Sequence, residues 1–284
     1  MHLIVWWVLA IVLVYRAYVV YCNWLHNVII EKCIDRLNIR MAELDVCPSH
    51  GINHARAVLK NAYLIMSDMT WSGGWSIRLW WHERLAVCLA ALLHDADDRK
   101  IPGYAKGMYP NAISIMHDIS PHTRALVLRM ITLTSASGNG DTLPHDIKSK
   151  PWLVVPRLAD RLEAIGRVGL DRCHIYTLGI KRPLYTARTM RAKDLADLRT
   201  RVAPLSRWVD YVDNDGKSES MMDHIYDKLL HLFVAPAPFV SQRFNKRICD
   251  RVQILIDVAL EFGRTGHIDS DRVEAIVHGK GSRD

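Results

Sequence analysis

The sequence lacks the cysteine spacing of a disulfide framework or a zinc ribbon. Its 6 cysteines are scattered through 284 residues without a CxxC pair, which favours a reducing compartment. It also lacks alternating polar and apolar residues at hairpin spacing, so β-strands have almost no support. No internal repeat or low-complexity tract is visible. Apolar residues at helical spacing remain, and they predict an all-α fold, a helical bundle.

The composition is that of an ordinary globular protein. Hydrophobic residues make up 50% of the chain and charged residues 24%, which is enough apolar material for a sizeable core. Single cores stop growing near roughly 250 to 300 residues, so one main domain is expected. The net charge of +7 suits polyanionic partners such as nucleotides, nucleic acid or anionic headgroups.

The N-terminus is a long apolar segment. Leu3 to Tyr15 contains no charge, and apolar residues resume after Arg16 as far as Cys22, which approaches the roughly 20 residues that span a bilayer. It has neither a basic leader nor a small-residue cleavage site, which argues against a removable signal peptide. A long arginine stem can carry its charge toward the headgroups, so a membrane anchor is one interpretation. A buried or dimer-forming helix is the other.

Basic residues after this segment favour a cytoplasmic position for the rest of the chain. They are Lys32, Arg36 and Arg40. We expect three parts: residues 1–22 as a hydrophobic helix and possible anchor, residues 23–265 as a helical domain, and residues 266–284 as a polar tail. Pro110 and Pro121 are predicted to open helices, and a helical pattern follows Pro156 as far as Leu170.

Four residues at three places along these helices are candidate metal ligands. His54 falls in the first turn of a predicted helix, His94 and Asp95 close a nearly continuous apolar run, and Asp160 lies in a later helix. An unpaired carboxylate at the end of a buried helix is costly, and a divalent cation is its simplest partner. Imidazole and carboxylate ligands without thiolates suit manganese, iron, cobalt, nickel or zinc rather than a structural zinc site.

The ordered ligands resemble the H...HD...D signature of the HD superfamily of metal-dependent phosphohydrolases. Four segments around these ligands are similar in sequence to small stand-alone members of the superfamily, namely SHGINHARAV, ALLHDADDRK, ADRLEAIGRVGL and DHIYDKLLHL. The resemblance covers about residues 46–262. It implies an HD-type helical domain with one divalent cation, manganese before iron, cobalt, nickel, zinc or magnesium. It also implies hydrolysis of a phosphoanhydride or phosphoester bond in a nucleotide, foremost a nucleoside or deoxynucleoside triphosphate.

Further candidates lie in the resembling segments. Lys100, Arg161 and Lys228 can take up phosphate charge, Lys100 as part of the catalytic set and the other two as phosphate-binding residues. His50 can orient a phosphate or relay a proton, or it simply begins a helix. Asp98 can orient the attacking water or a ligand, or it is a plain helix-end charge.

Two departures from the subfamily leave alternatives open. Leu158 replaces a second acidic residue, and an arginine is shifted from position 57 to Arg56. Within hydrolysis, a guanosine tetraphosphate hydrolase, a cyclic-nucleotide phosphodiesterase or a nucleotide monophosphatase would use the same site. A catalytically silent, membrane-associated nucleotide-binding module is the alternative outside catalysis. No specific nucleic-acid partner is expected, since no binding motif accompanies the basic residues after position 180, and the oligomeric state is open.

Overall fold

The structure is a computed structural model, and every regular element that it describes is helical. The described residues are 2–46, 50–69, 78–98, 101, 105, 107–135, 142–233 and 239–279. Within these ranges the only β-type pairing is an isolated antiparallel bridge between Met69 and Val240. The predicted all-α fold is therefore confirmed.

Eleven helices are numbered here in chain order. They are α1 His2–Glu43, α2 Ile52–Asp68, α3 Trp81–Leu93, α4 Pro110–Ile115, α5 Pro121–Thr134, α6 Val155–Glu163, α7 Gly166–Gly179, α8 Leu205–Asp213, α9 Met221–Asp227, α10 Gln242–Thr265 and α11 Ser270–His278. Short 3₁₀ turns occupy Pro151–Val154 and Leu229–His231, and a helical turn at Leu195–Asp197 continues with π geometry over Leu198–Val202.

Helix α3 is the centre of the bundle. Its residues 85–93 are all buried, as expected of a helix that is apolar on every face. Helices α1, α2, α5 and α6 pack around it. Since α3 ends at Leu93, the core carries the His94-Asp95 pair to the place where the buried helix stops.

Helix α1 has two halves with opposite environments. Its second half packs against the domain through a buried stripe at helical spacing, formed by His26, Ile30, Cys33, Ile34, Leu37 and Met41. In the first half every described side chain from residue 9 to residue 21 is exposed. By length and composition, α1 as a whole is a helix that could cross a membrane. Because α1 runs through residue 22 without a break, the proposed domain boundary there remains a prediction.

The predicted helix starts at the prolines are confirmed. Helix α4 begins at Pro110 and α5 at Pro121, where the missing N–H is one that the first helical turn leaves unpaired in any case. Asp97 covers the start of α4, because its carboxylate oxygens accept from the backbone N–H groups of Asn111 and Ala112, both at 2.9 Å. One of the acidic residues after His94 is thus structural.

The predicted helix after Pro156 is not continuous. Residues Ala164 and Ile165 separate α6 from α7, and Gly166 begins α7 with a φ of 72° that favours glycine. Gly169 is needed for a close approach: an added Cβ would lie 2.2 Å from the carbonyl carbon of Ala164. The chain therefore turns sharply between α6, which carries Asp160, and α7, and the two helices pack against each other.

Candidate metal centre

Four side chains from three helices meet at one end of the core. His54 lies in the first turn of α2, His94 and Asp95 follow α3, and Asp160 lies on α6. Helix α2 packs against both α3 and α6, and α3 packs against α6. The packing of these three helices therefore brings the four polar residues together.

The ligand atoms lie within a few ångströms of one another. Nε2 of His54 is 3.3 Å from Nε2 of His94 and 3.3 Å from Oδ1 of Asp160, and the His94 Nε2 is 3.5 Å from the same oxygen. Asp95 approaches with both oxygens, Oδ2 at 3.6 Å from His54 Nε2 and Oδ1 at 3.4 Å from His94 Nε2. His54, His94 and Asp160 form a group that could hold a metal ion.

This arrangement fits a divalent ion. Ligand atoms about 2.1 Å from a metal lie about 3.0 to 3.4 Å apart in octahedral or tetrahedral geometry, close to the separations in this cluster. Two carboxylates with two neutral imidazoles carry a charge that a divalent cation balances. A His/Asp cluster of this kind could bind a divalent metal ion.

Hydrogen bonds behind the cluster orient two of its members. Nδ1 of His94 lies 2.9 Å from the carbonyl oxygen of Ala91, which can only accept, so Nδ1 carries the proton and Nε2 faces the cluster. Nδ1 of His50 donates to Oδ2 of Asp95 at 3.0 Å. His50 therefore holds a carboxylate, which is the kind of support that metal ligands commonly have.

Burial and charge act in opposite directions on these groups. Burial lowers the pKa of His54 to about 4. Burial also opposes protonation of His94, but Asp95 and Asp160 outweigh it and raise the His94 pKa to about 9. For the two carboxylates, burial would raise the pKa, yet the neighbouring histidines hold both well below the usual range. The two carboxylates therefore favour a positive charge within the cluster.

An open cleft leads to the cluster. Its volume is about 1280 Å³, with the solvent at its mouth included. Four cationic side chains line it, namely Arg161, Arg172, Arg182 and Lys228. Burial lowers the pKa of Lys228, whereas the negative charges of Asp160, Asp95 and Asp98 raise it. The Lys228 amine therefore interacts electrostatically with these carboxylates.

The predicted site residues fall in or beside this cleft where they are described. His50, Asp98, Arg161 and Lys228 all line it, and the Nη1 group of Arg161 donates to the carbonyl of Leu232 at 3.1 Å. Lys100 lies outside the described residues. The catalytic and phosphate-binding roles of these residues stay predictions.

The structure also adds residues that the sequence analysis did not single out. Arg172 and Tyr176 lie on α7 and line the cleft, together with His224 on α9. Arg182, one of the basic residues after position 180 that were considered for nucleic acid, also lines it. The spacing of Gly169, Arg172 and Tyr176 at three and four residues places them on one helix face, and this was the available signal. This spacing alone does not show that the face is functional, and only the cleft in the folded structure does so.

Comparisons with known proteins place the chain beside a viral protein and two bacterial ones. It is 36% identical over 232 residues to "Uncharacterized protein L803" of Acanthamoeba polyphaga mimivirus, a match that covers 75% of this chain and 89% of that protein. A crystal structure from Lactobacillus plantarum matches with a TM-score of 0.57 and 17% identity, over 84% of this chain and 96% of that one. Bacillus subtilis YpgQ matches with a TM-score of 0.50 and 18% identity, over 83% and 96%. At these identities the two structures support the fold alone. No protein-family model matches the chain.

Proposed function

Because the chain belongs to the family of uncharacterized protein L803 of Acanthamoeba polyphaga mimivirus, a name that states no activity, we propose a function from its own residues. The function is that of an HD-type metal-dependent phosphohydrolase acting on a nucleotide. A nucleoside or deoxynucleoside triphosphate is the substrate that the sequence resemblance favours. Manganese is the proposed metal.

The observation that carries this proposal is the meeting of two kinds of group in one cleft. His54, His94 and Asp160 form a compact ligand set with Asp95 beside it, and cationic side chains line the same cleft. Carboxylates and imidazoles suit a transition ion, whereas arginine and lysine suit phosphate oxygens.

The chain's own residues have separate tasks in hydrolysis. When bound, the ion supplies Lewis-acid activation of water and of phosphoryl oxygen. His50 holds Asp95 in position through its Nδ1 hydrogen bond. Asp98 at the cleft wall orients the attacking water and accepts its proton. Arg161 and Lys228 bind the phosphate oxygens and take up the charge that develops on the leaving group.

We also propose that residues 3–22 attach the protein to a membrane and leave the hydrolase domain in the cytoplasm. The support is the exposed apolar half of α1, followed by Lys32, Arg36 and Arg40.

Phosphorus NMR tests the proposed hydrolysis. The full chain in mild detergent is incubated with manganese and a panel of nucleoside triphosphates, monophosphates and cyclic nucleotides. We expect release of pyrophosphate or orthophosphate, lost in His54→Gln and in Asp160→Asn. His117→Gln, which changes an exposed histidine outside the cleft, is the matched control and should be unaffected.

The products identify the bond, since pyrophosphate and orthophosphate come from different cleavages of a triphosphate. Hydrolysis that persists in both cluster variants would contradict the proposal. If no nucleotide in the panel is hydrolysed by a protein that still binds metal, the catalytically silent nucleotide-binding module is favoured instead.

A further inference from the structure

Among the described residues, three exposed tryptophans lie on α1 and a fourth lies just before α3. Trp6, Trp7 and Trp24 are 70%, 67% and 58% exposed on α1. Trp80, which immediately precedes α3, is 74% exposed. Of the other described tryptophans, Trp152 and Trp208 are buried and Trp81 is half-buried. Among the residues that the structure describes, exposed tryptophans therefore occur only on α1 and at the start of α3.

Trp80 lies at the start of α3, which is joined to α1 near Trp24. The next residue, Trp81, donates its indole N–H to the carbonyl of Cys22 at 2.8 Å, which joins the start of α3 to α1 two residues before Trp24. Tyr21 is also exposed at this level, and its ring is 6.0 Å from that of Trp24. These exposed rings, Tyr21, Trp24 and Trp80, lie near the junction of α1 with the start of α3 and are called the collar below.

The spacing between the two groups of tryptophans matches a bilayer. From Trp6 to Trp24 the helix advances by about 27 Å at roughly 1.5 Å per residue. The hydrocarbon layer of a membrane is about 30 Å thick, and tryptophan is enriched at both of its surfaces. The helix therefore carries an aromatic group at each end of a span.

A lipid environment explains this helix better than a protein partner. The described side chains from residue 9 to residue 21 are exposed on every face, and they are apolar apart from Arg16 and the tyrosine hydroxyls. A second copy would cover one face and leave the others in water. A charge within the span is costly, so Arg16 opposes insertion, and its replacement by leucine should strengthen membrane retention.

Helix α3 runs beside α1, away from this collar. At its start Trp81 contacts Cys22, and just past its end the carbonyl of Ala96 accepts from Asn111, whose side-chain oxygen accepts from Arg40. The direction from Trp81 to Ala96 is therefore also the direction from Cys22 to Arg40. At about 1.5 Å per residue, the helical part of α3 advances by about 20 Å.

We propose that α1 and α3 form a rigid stalk: Trp24 and Trp80 lie at the membrane–water interface, and α3 holds the metal cluster about 20 Å from it. The cluster then acts on phosphates dissolved in water rather than on those of lipid headgroups. At that distance the field of charged headgroups is screened, since the Debye length is about 8 Å at physiological salt. This inference rests on the proposed membrane attachment and hydrolysis.

Tryptophan quenching in vesicles tests the stalk. The full chain is reconstituted into phosphatidylcholine vesicles whose acyl chains carry bromine either near the headgroups or near the bilayer centre. Subtracting the emission of Trp80→Phe isolates that of Trp80. The matched variant is Ile39→Trp, which adds an indole at an exposed position of the same helix, next to Arg40 and at the level of the cluster.

We expect loss of Trp80 emission with shallow bromine, less loss with deep bromine, and no loss from the added indole at position 39. If Trp80 is not quenched, the proposed interface is wrong although attachment through residues 3–22 stands. If the indole at position 39 is quenched as well, α1 lies flat on the membrane and the stalk is refuted. A chain that does not float with the vesicles overturns both the stalk and the attachment, while nucleotide hydrolysis in detergent would be unaffected.

Discussion

Metal binding should release a proton, because His94 carries one in the metal-free cluster. Asp95 and Asp160 raise its pKa to about 9 against the effect of burial. Its Nδ1 hydrogen is committed to the Ala91 carbonyl, so the extra proton lies on Nε2, the atom that faces the cluster. A cation has to displace that proton before His94 can bind it.

The magnitude follows from the position of that pKa. Between pH 6 and pH 8 the metal-free histidine remains protonated, so the apparent affinity for manganese should rise about tenfold per pH unit, or about a hundredfold over the range. Each unit corresponds to about 1.4 kcal/mol of binding free energy. His54 adds no proton near pH 7, since burial holds its pKa at about 4.

Isothermal titration calorimetry measures this directly. Binding of manganese at pH 7 is compared in buffers with different heats of ionisation, and the difference gives the number of protons released. We expect about one proton per bound ion. An affinity that is flat between pH 6 and pH 8, with no proton released, would refute this description of the cluster.

Three further predictions concern stability. Gly169→Ala should lower the free energy of unfolding by about 3 kcal/mol, because the new methyl group would overlap the Ala164 backbone. If chemical denaturation gives an unchanged free energy of unfolding, α7 does not approach Ala164 so closely. Asp97→Asn should lower the free energy of unfolding by about 1 to 2 kcal/mol, because it weakens two hydrogen bonds to the start of α4. The metal content should not change, and a loss of bound metal would instead place Asp97 in the cluster. Burial lowers the pKa of His26 from 6.5 to about 4, so the folded protein loses stability as the pH falls through this range. His26→Gln, which can still bond to Tyr63, should flatten that part of the unfolding profile, and an unchanged pH dependence would rule the residue out.

The sequence predicted the parts of the fold where the apolar pattern has one interpretation. Helix α3 is apolar on every face, which marks it as central, and the prolines at positions 110 and 121 mark helix starts. The His94-Asp95 pair was conspicuous because it follows that buried run. These features depend on local spacing, which a single sequence displays.

The remaining features depend on tertiary structure. The helical pattern continues through Ala164 and Ile165, and only the packing of α6 against α7 shows the turn there. Asp95, Asp97 and Asp98 stand close together in the sequence, but one joins the cluster, one covers the start of α4 and one lines the cleft. Arg172 likewise lies in the cleft only because α7 forms part of the cleft wall in the folded protein.

The most direct test of the central claim is a manganese titration of the chelator-treated full chain in mild detergent, with bound metal and nucleotide hydrolysis measured in the same samples. We predict that hydrolysis returns in step with bound metal and is complete near one ion per chain, and that neither returns in His54→Gln or Asp160→Asn. Hydrolysis without bound metal, or full activity in either variant, would contradict a phosphohydrolase that works through this cluster.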